Sequence, residues 1–176
     1  LEKGFVPVGD YYETPASGVY AVGDVIFTPL LAHVASKEAE IVAEHIAGEN
    51  TVSQIDPSQI PSAVYTDPQV AGFGLNTETA QSAGVAFKAE TFPYRGAGKS
   101  VAVEKPEGLV KILFDPDTKE ILGAQLAGAE ATELVHELLL AKKSELLPED
   151  IATMIHAHPT LSETVMEAAR AVEGWP

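Results

Sequence analysis

Two histidines and one carboxylate lie close together near the end of the chain, in the stretch MIHAHPTLSE at residues 154–163. An imidazole titrates near neutral pH, so it can take a proton from a substrate and return it later. Glu163 follows the second histidine by five residues. A carboxylate that accepts one ring N–H leaves the other ring nitrogen free to take a proton. The pattern predicts a base with an orienting carboxylate, and by itself it does not choose between His156 and His158.

Pro159 predicts the local structure of this stretch. A proline suits the first turn of a helix and restrains the residue before it to an extended conformation. We therefore expect a helix that begins at Pro159-Thr160, with His158 at its N-terminal edge and Glu163 a little over one turn inside. This segment alone cannot complete a reaction, so the site needs partners from other segments.

The composition limits the classes of function. Acidic residues outnumber basic ones by 26 to 11, and the formal charge of −15 repels nucleic acid and anionic membrane surfaces. We favour an acidic surface that serves solubility over one that attracts a basic partner. The chain has no cysteine, hence no disulfide, thiolate metal site or cysteine nucleophile of its own. Its apolar runs are shorter than the roughly 18 residues of a membrane span, and no basic-then-apolar leader precedes Leu1. We expect a cytoplasmic protein without a metal site.

A run of small and β-branched residues from Gly18 to Asp24 predicts a strand that is buried on both faces of a parallel sheet. Ligands bind at the carboxyl ends of such strands. Asp24 could there accept hydrogen bonds from a pair of ribose-like hydroxyls, and Gly23 lets the backbone approach closely. An ordinary turn also explains the Gly-Asp pair, and these two residues alone favour the turn.

Thr28-Pro29 has the residue types of a helix cap followed by a first turn. The predicted helix runs to about Ala47 and ends at Gly48. The N–H groups and partial positive charge of its start suit an electron-rich ring. A histidine on such a face is more often packed than catalytic, so we give the one here a minor role. The residues of this helix start are Leu30, Leu31, Ala32 and His33.

The second part of the chain predicts an α+β fold, an antiparallel sheet with flanking helices. A polar connector at 51–61 precedes it, and Asn76 caps a short helix that is stopped by Gly84. The turn Asp115–Lys119 joins two strands into a hairpin. The other predicted elements are strands at 86–94, 108–114 and 120–126, and helices at 130–146, 148–154 and 161–172.

Several of these segments together resemble the pyridine nucleotide-disulfide oxidoreductases, most closely their lipoamide dehydrogenase branch. YAVGD at 20–24 is similar to the family's second flavin motif, and PLLAH at 29–33 is similar to the helix start after it, where methionine is commoner than Leu30. Residues from about Ser62 onward are similar to the dimerisation domain. HAHPTLSE at 156–163 matches the signature of the lipoamide enzymes. The resemblance covers essentially the whole chain.

The resemblance implies a role for each of these residues. Asp24 would hold the ribitol of FAD, and the backbone from Leu30 to His33 would face the flavin ring. His158, directly before the proline, would be the acid–base catalyst of dithiol–disulfide exchange, with Glu163 as its orienting group and His156 as a neighbour. The implied reaction oxidises dihydrolipoamide through a redox disulfide and FAD, with NAD⁺ as the acceptor.

The family's glycine-rich FAD and NAD motifs and its redox cysteine pair are not found in these 176 residues. The resemblance therefore implies the C-terminal part of an enzyme: residues 1–50 from the FAD-binding domain, a linker at 51–61 and a dimerisation domain at 62–176. We expect a homodimer in which the base reaches the opposite subunit, with no cofactor bound and no activity in the isolated chain. The alternative is the dimerisation domain of a glutathione-reductase-like enzyme. The acidic dimer could also dock a basic subunit-binding domain of a 2-oxo-acid dehydrogenase complex.

Overall fold

The structure, a computed structural model, describes residues 1–175 and divides at Asp56 and Pro57 into two compact units. The first unit holds one long helix, α1 (Ala32–Ile46), and two single 3-10 turns, Asp10–Tyr12 and Gly23–Val25. A small core forms around the buried side chains of Tyr12, Ile26 and Ile41. The Tyr12 hydroxyl also accepts a hydrogen bond from the backbone N–H of Ile55 at 3.1 Å. This bond ties the end of the unit to its core.

The second unit is built on an antiparallel sheet of five strands. The strands are β1 (Ser62–Val64), β2 (Gln69–Gly74), β3 (Lys88–Pro93), β4 (Leu109–Phe114) and β5 (Ile121–Gly128), in the spatial order β1-β2-β5-β4-β3. The Asp115 carboxylate accepts hydrogen bonds from the N–H groups of Asp117 at 2.9 Å and Thr118 at 2.8 Å. This turn joins β4 to β5, so the predicted antiparallel hairpin is confirmed.

In residues 57–175, five helices accompany this sheet, and three of them, the last in the chain, pack on the sheet face where alternate strand residues are apolar and buried. The helices are α2 (Thr77–Ala83), α3 (Gly98–Ala102), α4 (Ala131–Lys143), α5 (Pro148–Thr153) and α6 (Glu163–Val172). Buried residues of α4, α5 and α6, such as Leu138, Ile151 and Val165, form one core with Ile112 and Leu126 of the central strands. The predicted α+β fold, an antiparallel sheet with flanking helices, is confirmed.

The helix predicted after Asn76 is also confirmed. The Asn76 side chain accepts from the N–H of Thr79 at 2.8 Å, and the Thr79 hydroxyl accepts from the N–H of Asn76 at 2.9 Å. This reciprocal pair satisfies two groups that helix formation leaves unpaired. Gly84 ends the helix in a left-handed conformation, with φ at 67°.

The strand predicted from Gly18 to Asp24 is wrong. Tyr20 makes one isolated bridge with Glu13, and the chain then turns at Gly23–Val25. Val19, expected to be buried, is 52% exposed. A strand buried on both faces needs a hydrogen-bonded neighbour on each side. Within the described residues, the segment from Gly18 to Asp24 has only the bridge to Glu13.

The predicted start of the first long helix is also wrong, because α1 begins at Ala32 rather than at Thr28-Pro29. Leu31 is extended, and its N–H bonds to the carbonyl of Pro29 at 2.8 Å in a tight turn. The buried hydroxyl of Thr28 has no hydrogen-bond partner within residues 1–175. The proline therefore belongs to a turn before the helix. The predicted end is confirmed, since Gly48 follows the helix with φ at 77°.

Candidate active site

His158 and Glu163 meet in the turn that leads into α6. The ring Nδ1 lies 2.9 Å from Glu163 Oε1. A carboxylate accepts hydrogen bonds and cannot donate them, so the ring proton is on Nδ1. The His158 side chain is 75% exposed, whereas that of Glu163 is 17% exposed. Glu163 thus holds the imidazole through Nδ1 on its inner side, and Nε2 lies on the exposed side of the ring.

The Glu163 carboxylate is also held by the backbone. Its Oε2 accepts a hydrogen bond from the N–H of Thr160 at 2.8 Å. This backbone bond, followed by the bond from His158, lowers the pKa of Glu163 below its ordinary value. Positive charge on His158 and His156 lowers this pKa further. The carboxylate is therefore ionised and fixed in orientation at neutral pH.

Pro159 does not occupy the first turn of the last helix, contrary to the prediction. Residues 157–160 form a turn in which the Thr160 hydroxyl donates to the carbonyl of Ala157 at 2.7 Å. Glu163, the first residue of α6, reaches back to the same turn. These side chain–backbone bonds hold the turn in a non-helical conformation, so Glu163 lies at the start of the helix rather than one turn inside it.

The core of the second unit holds this site in place. On α6, Val165, Ala168 and Ala169 are fully buried in the core. The guanidinium of Arg170 donates to the carbonyl of Ala152 in α5 at 3.3 Å. The carboxylate that orients His158 is thus attached to a helix that is packed on two sides.

Gly98, the first residue of α3, lies next to the exposed His158 ring. A Cβ atom at this position would lie 3.9 Å from Cε1 of His158. The neighbouring Ser100 is buried, and its hydroxyl donates to the carbonyl of Ala97 at 2.8 Å. A fixed segment with a small residue therefore borders the imidazole.

His156 is unavailable for contact with a substrate. Its side chain is 3% exposed, Nε2 lies 2.8 Å from Oε1 of Glu137, and Nδ1 lies 3.3 Å from the carbonyl of Met154. Glu137, on α4, was not predicted as part of the site. It stands one helical turn from Leu134 and Ala141, in the apolar stripe that these residues form along the helix. A charged residue within such a stripe indicates a buried partner, and this was the signal for it.

In the first unit, Asp24 lies exposed in the turn Gly23–Val25. Gly23 has φ at 73°, and its N–H donates to Oε2 of Glu38 at 2.7 Å. Glu38 belongs to α1 and is fully buried. A Cβ atom on Gly23 would lie 3.1 Å from the Cβ of Ala35. Sequence reasoning missed Glu38, which anchors the turn with Asp24 to α1.

The other predicted ligand-binding residues of the first unit lie where α1 begins. Leu30 is 57% exposed, Leu31 is extended, and Ala32 and His33 open the helix with exposed side chains. Leu31, the residue before the first helical turn, makes no side-chain capping hydrogen bond. A helix start without a cap presents N–H groups and partial positive charge to whatever lies in front of it.

The second unit, which carries His158, has a counterpart among known protein families. The sequence model of the family described as "Pyridine nucleotide-disulphide oxidoreductase, dimerisation domain" matches residues 60–169. The chain belongs to this family. The predicted family resemblance is thereby confirmed.

Curated relatives of the chain are named dihydrolipoyl dehydrogenases. The protein from Haloferax volcanii is 41% identical over 174 residues, which are 98% of this chain and 36% of the relative. The protein from Thermus scotoductus is 44% identical over 171 residues, which are 97% of this chain and 36% of the relative. The chain therefore spans about a third of the length of these relatives.

Solved structures of larger proteins contain the same fold. The crystal structure of LpdA from Mycobacterium tuberculosis matches with a TM-score of 0.89 and 28% identity, covering 96% of this chain and 36% of that one. The HOCl-induced flavoprotein disulfide reductase RclA from Escherichia coli matches with a TM-score of 0.90 and 23% identity, covering 98% of this chain and 40% of that one. At 23% identity, the similarity to RclA supports a shared fold and no shared function.

None of the helices described in residues 1–175 is long and apolar enough to cross a membrane.

Proposed function

We propose that this chain is the C-terminal part of a dihydrolipoyl dehydrogenase and that His158 is the acid–base catalyst of its thiol–disulfide exchange. The 2.9 Å contact between His158 Nδ1 and Glu163 Oε1 carries this proposal, because it fixes the tautomer whose Nε2 can accept a proton. The names of the relatives support dihydrolipoamide as the substrate. A glutathione-reductase-like enzyme with the same dyad is the alternative.

In the proposed reaction, Nε2 of His158 takes the proton of a substrate thiol. An unperturbed thiol has a pKa of about 8.5, so a base is needed to form the thiolate near neutral pH. The thiolate attacks one sulfur of a redox disulfide, a mixed disulfide forms and the other sulfur leaves as a thiolate. The ring N–H that points at Glu163 stabilises the imidazolium while it holds the proton. The chain has no cysteine, so the redox disulfide comes from elsewhere in the enzyme.

We propose FAD and NAD as the cofactors of the whole enzyme. Asp24 would accept hydrogen bonds from the ribitol hydroxyls, and the first turn of α1, from Ala32, would face the flavin ring. The exposed Asp24 and the N-terminus of α1 without a side-chain cap fit such a ligand. Bound FAD would supply the two-electron redox chemistry that links the dithiol to NAD⁺. We propose that this chain alone retains neither cofactor.

We propose a cytoplasmic homodimer with a domain division at 1–50, 51–61 and 62–176. The name of the matching family domain supports dimerisation. Near His158, Ile155 is 96% exposed and Met154 is 48% exposed. Exposed apolar side chains beside a reactive group fit a surface that a second subunit covers. The site would then be completed by the disulfide and flavin of the opposite subunit, and the isolated chain would transfer no electrons.

We also propose that the dimer docks a basic subunit-binding domain of a 2-oxo-acid dehydrogenase complex. The formal charge of −15 supports a basic partner. Such binding weakens as salt screens the charges. Affinity that stayed constant across a salt titration would contradict this partner.

Rapid kinetics of the full-length enzyme test the role of His158. His158→Gln should slow flavin reduction by dihydrolipoamide by about 10²–10⁴-fold, the usual contribution of a general base. Glu163→Gln should slow it on the order of tenfold, because the amide can still accept a hydrogen bond but carries no charge. Neither variant should change the exchange of electrons between NADH and flavin. His136→Gln, an exposed position on α4, is the matched control.

Equal slowing of both half-reactions in His158→Gln would refute the assigned role. Turnover with glutathione disulfide in place of lipoamide would select the alternative enzyme. The isolated 176-residue chain is the negative sample, and turnover by it without added protein would refute the partial-enzyme proposal.

A further inference from the structure

His156 is buried beside the candidate site, where it pairs with the partly exposed Glu137, and this pair has no part in the proposed proton transfer. The His156 side chain is 3% exposed, and that of Glu137 is 25% exposed. Both ring nitrogens are engaged, Nε2 with Glu137 Oε1 at 2.8 Å and Nδ1 with the carbonyl of Met154 at 3.3 Å. A residue two positions before the candidate base is thus tied to a different helix.

The chemistry of the two partners makes this tie strong. A carboxylate and a carbonyl oxygen both accept hydrogen bonds. The carboxylate of Glu137 therefore accepts a hydrogen bond from the ring N–H at Nε2 of His156, over 2.8 Å. Removing the Glu137 side chain would leave a buried ring nitrogen without its hydrogen-bond partner, which is unfavourable. The pair therefore resists separation of the turn from α4.

The anchor itself is rigid. Glu137 lies in the middle of α4, which packs against β2 and β5. The same helix buries Val135 and Leu138 on either side of Glu137. A displacement of His156 away from Glu137 would therefore have to come from the turn rather than from the helix.

The turn at 154–160 is consequently held at both ends. His156 ties its beginning to α4, and Glu163 on α6 ties its end through the N–H of Thr160 and Nδ1 of His158. We propose that Glu137 is a positioning residue that fixes, through His156, the turn that carries His158. The kinetic consequence of this positioning rests on the proposed function.

Amide hydrogen exchange of Thr160 in the full-length holoenzyme tests the positioning without any turnover. The Thr160 N–H is bonded to Glu163 at 2.8 Å, so it exchanges when the turn opens. Glu137→Ala should speed this exchange about tenfold, because a buried imidazole loses its partner. Glu137→Gln should exchange at the wild-type rate. Its amide N–H can donate to Nε2 of a neutral ring, whose Nδ1–H still reaches Met154. Glu133→Ala, an exposed glutamate of the same helix, is the matched control.

Half-reaction kinetics of the same variants test the consequence for catalysis. Glu137→Ala should slow flavin reduction by dihydrolipoamide roughly tenfold, since small misplacements of a catalytic group are costly. Glu137→Gln should stay within about twofold of wild type, and electron exchange with NADH should be unchanged in both variants. His156→Ala should slow the thiol step as Glu137→Ala does. The double variant should be no slower than His156→Ala, because Glu137 acts through this ring.

If Thr160 exchanges at the wild-type rate in Glu137→Ala, the positioning role is wrong. It is also wrong if Glu137→Gln slows flavin reduction as much as Glu137→Ala does. An additive slowing in the double variant would overturn it as well. Slowing of both half-reactions together would indicate general damage and would also overturn it. If the wild-type enzyme does not oxidise dihydrolipoamide, the proposed function fails, and Thr160 exchange still decides the positioning. His156→Ala removes the same contact from the other side and serves if Glu137→Ala does not fold.

Discussion

Glu163 is the residue on which the geometry of the candidate site depends. It accepts hydrogen bonds from the backbone of Thr160 at 2.8 Å and from His158 at 2.9 Å, and both bonds favour its ionised form. The pKa of Glu163 in the folded chain consequently lies below its ordinary value of 4.5. A carboxylate with a depressed folded-state pKa stabilises the fold above its unfolded-state pKa. That contribution is lost as the pH falls through the folded-state value.

Glu163→Gln should therefore lower the thermal stability of the chain at neutral pH. The stability difference from wild type should shrink in acid, once the pH falls below the lowered pKa of Glu163 and both side chains are uncharged. Thermal unfolding followed by circular dichroism across this pH range measures the difference. Glu133→Gln, at an exposed site, should show no comparable loss at neutral pH. A stability difference that grew as the pH fell would contradict the inferred sign.

The contacts of the site that the sequence predicts are those between residues close together along the chain. Glu163 stands five positions after His158, and the predicted contact between them is present in the structure. Glu137 stands 19 positions before His156, and the packing of α4 against the turn brings them together. No local pattern encodes that packing. A charged residue within an apolar stripe indicates that a partner exists, but it does not say which residue the partner is.

At the scale of elements, local hydrogen bonding made some predictions reliable. The helix after Asn76 and the turn after Asp115 are stabilised by side chains that bond to backbone within three residues, so the sequence alone contains their cause. The segment from Gly18 to Asp24 has strand-forming residues but only one bridge partner. Thr28-Pro29 has the residue types of a cap but forms a turn before α1. The first error arises because a strand needs hydrogen-bonded neighbours, and the second because a local turn takes the place of the first helical turn.

Mutation of Asn76 tests whether a local hydrogen bond stabilises a predicted helix. Asn76→Ala removes the side-chain oxygen that accepts from the N–H of Thr79, and loss of such a cap costs about 1 kcal/mol of unfolding free energy. Denaturant unfolding of the chain should show this loss in the midpoint without a change in slope. Asn76→Asp keeps the acceptor and should stay close to wild type. If Asn76→Asp lost as much stability as Asn76→Ala, the capping explanation would be wrong.

At the scale of the whole molecule, the formal charge of −15 opposes the dimer that we propose. Two chains of like charge repel each other over a Debye length of about 10 Å at 0.1 M salt. Apolar contact must overcome this repulsion. Ile155, which is 96% exposed, is a candidate for that contact because it lies three residues before His158, whose proposed reaction partner belongs to the opposite subunit.

Sedimentation equilibrium of the chain should therefore show a dimer whose affinity rises with added salt, because salt screens the like charges. Ile155→Glu should weaken the dimer at least tenfold, since a glutamate that is buried without a partner at an interface costs about 1.4 kcal/mol or more. Val52→Glu adds the same charge at a position of the first unit that is 60% exposed, and it should weaken the dimer far less. A monomer at micromolar concentration, or equal weakening by the two variants, would show that Ile155 and its turn do not form the subunit interface.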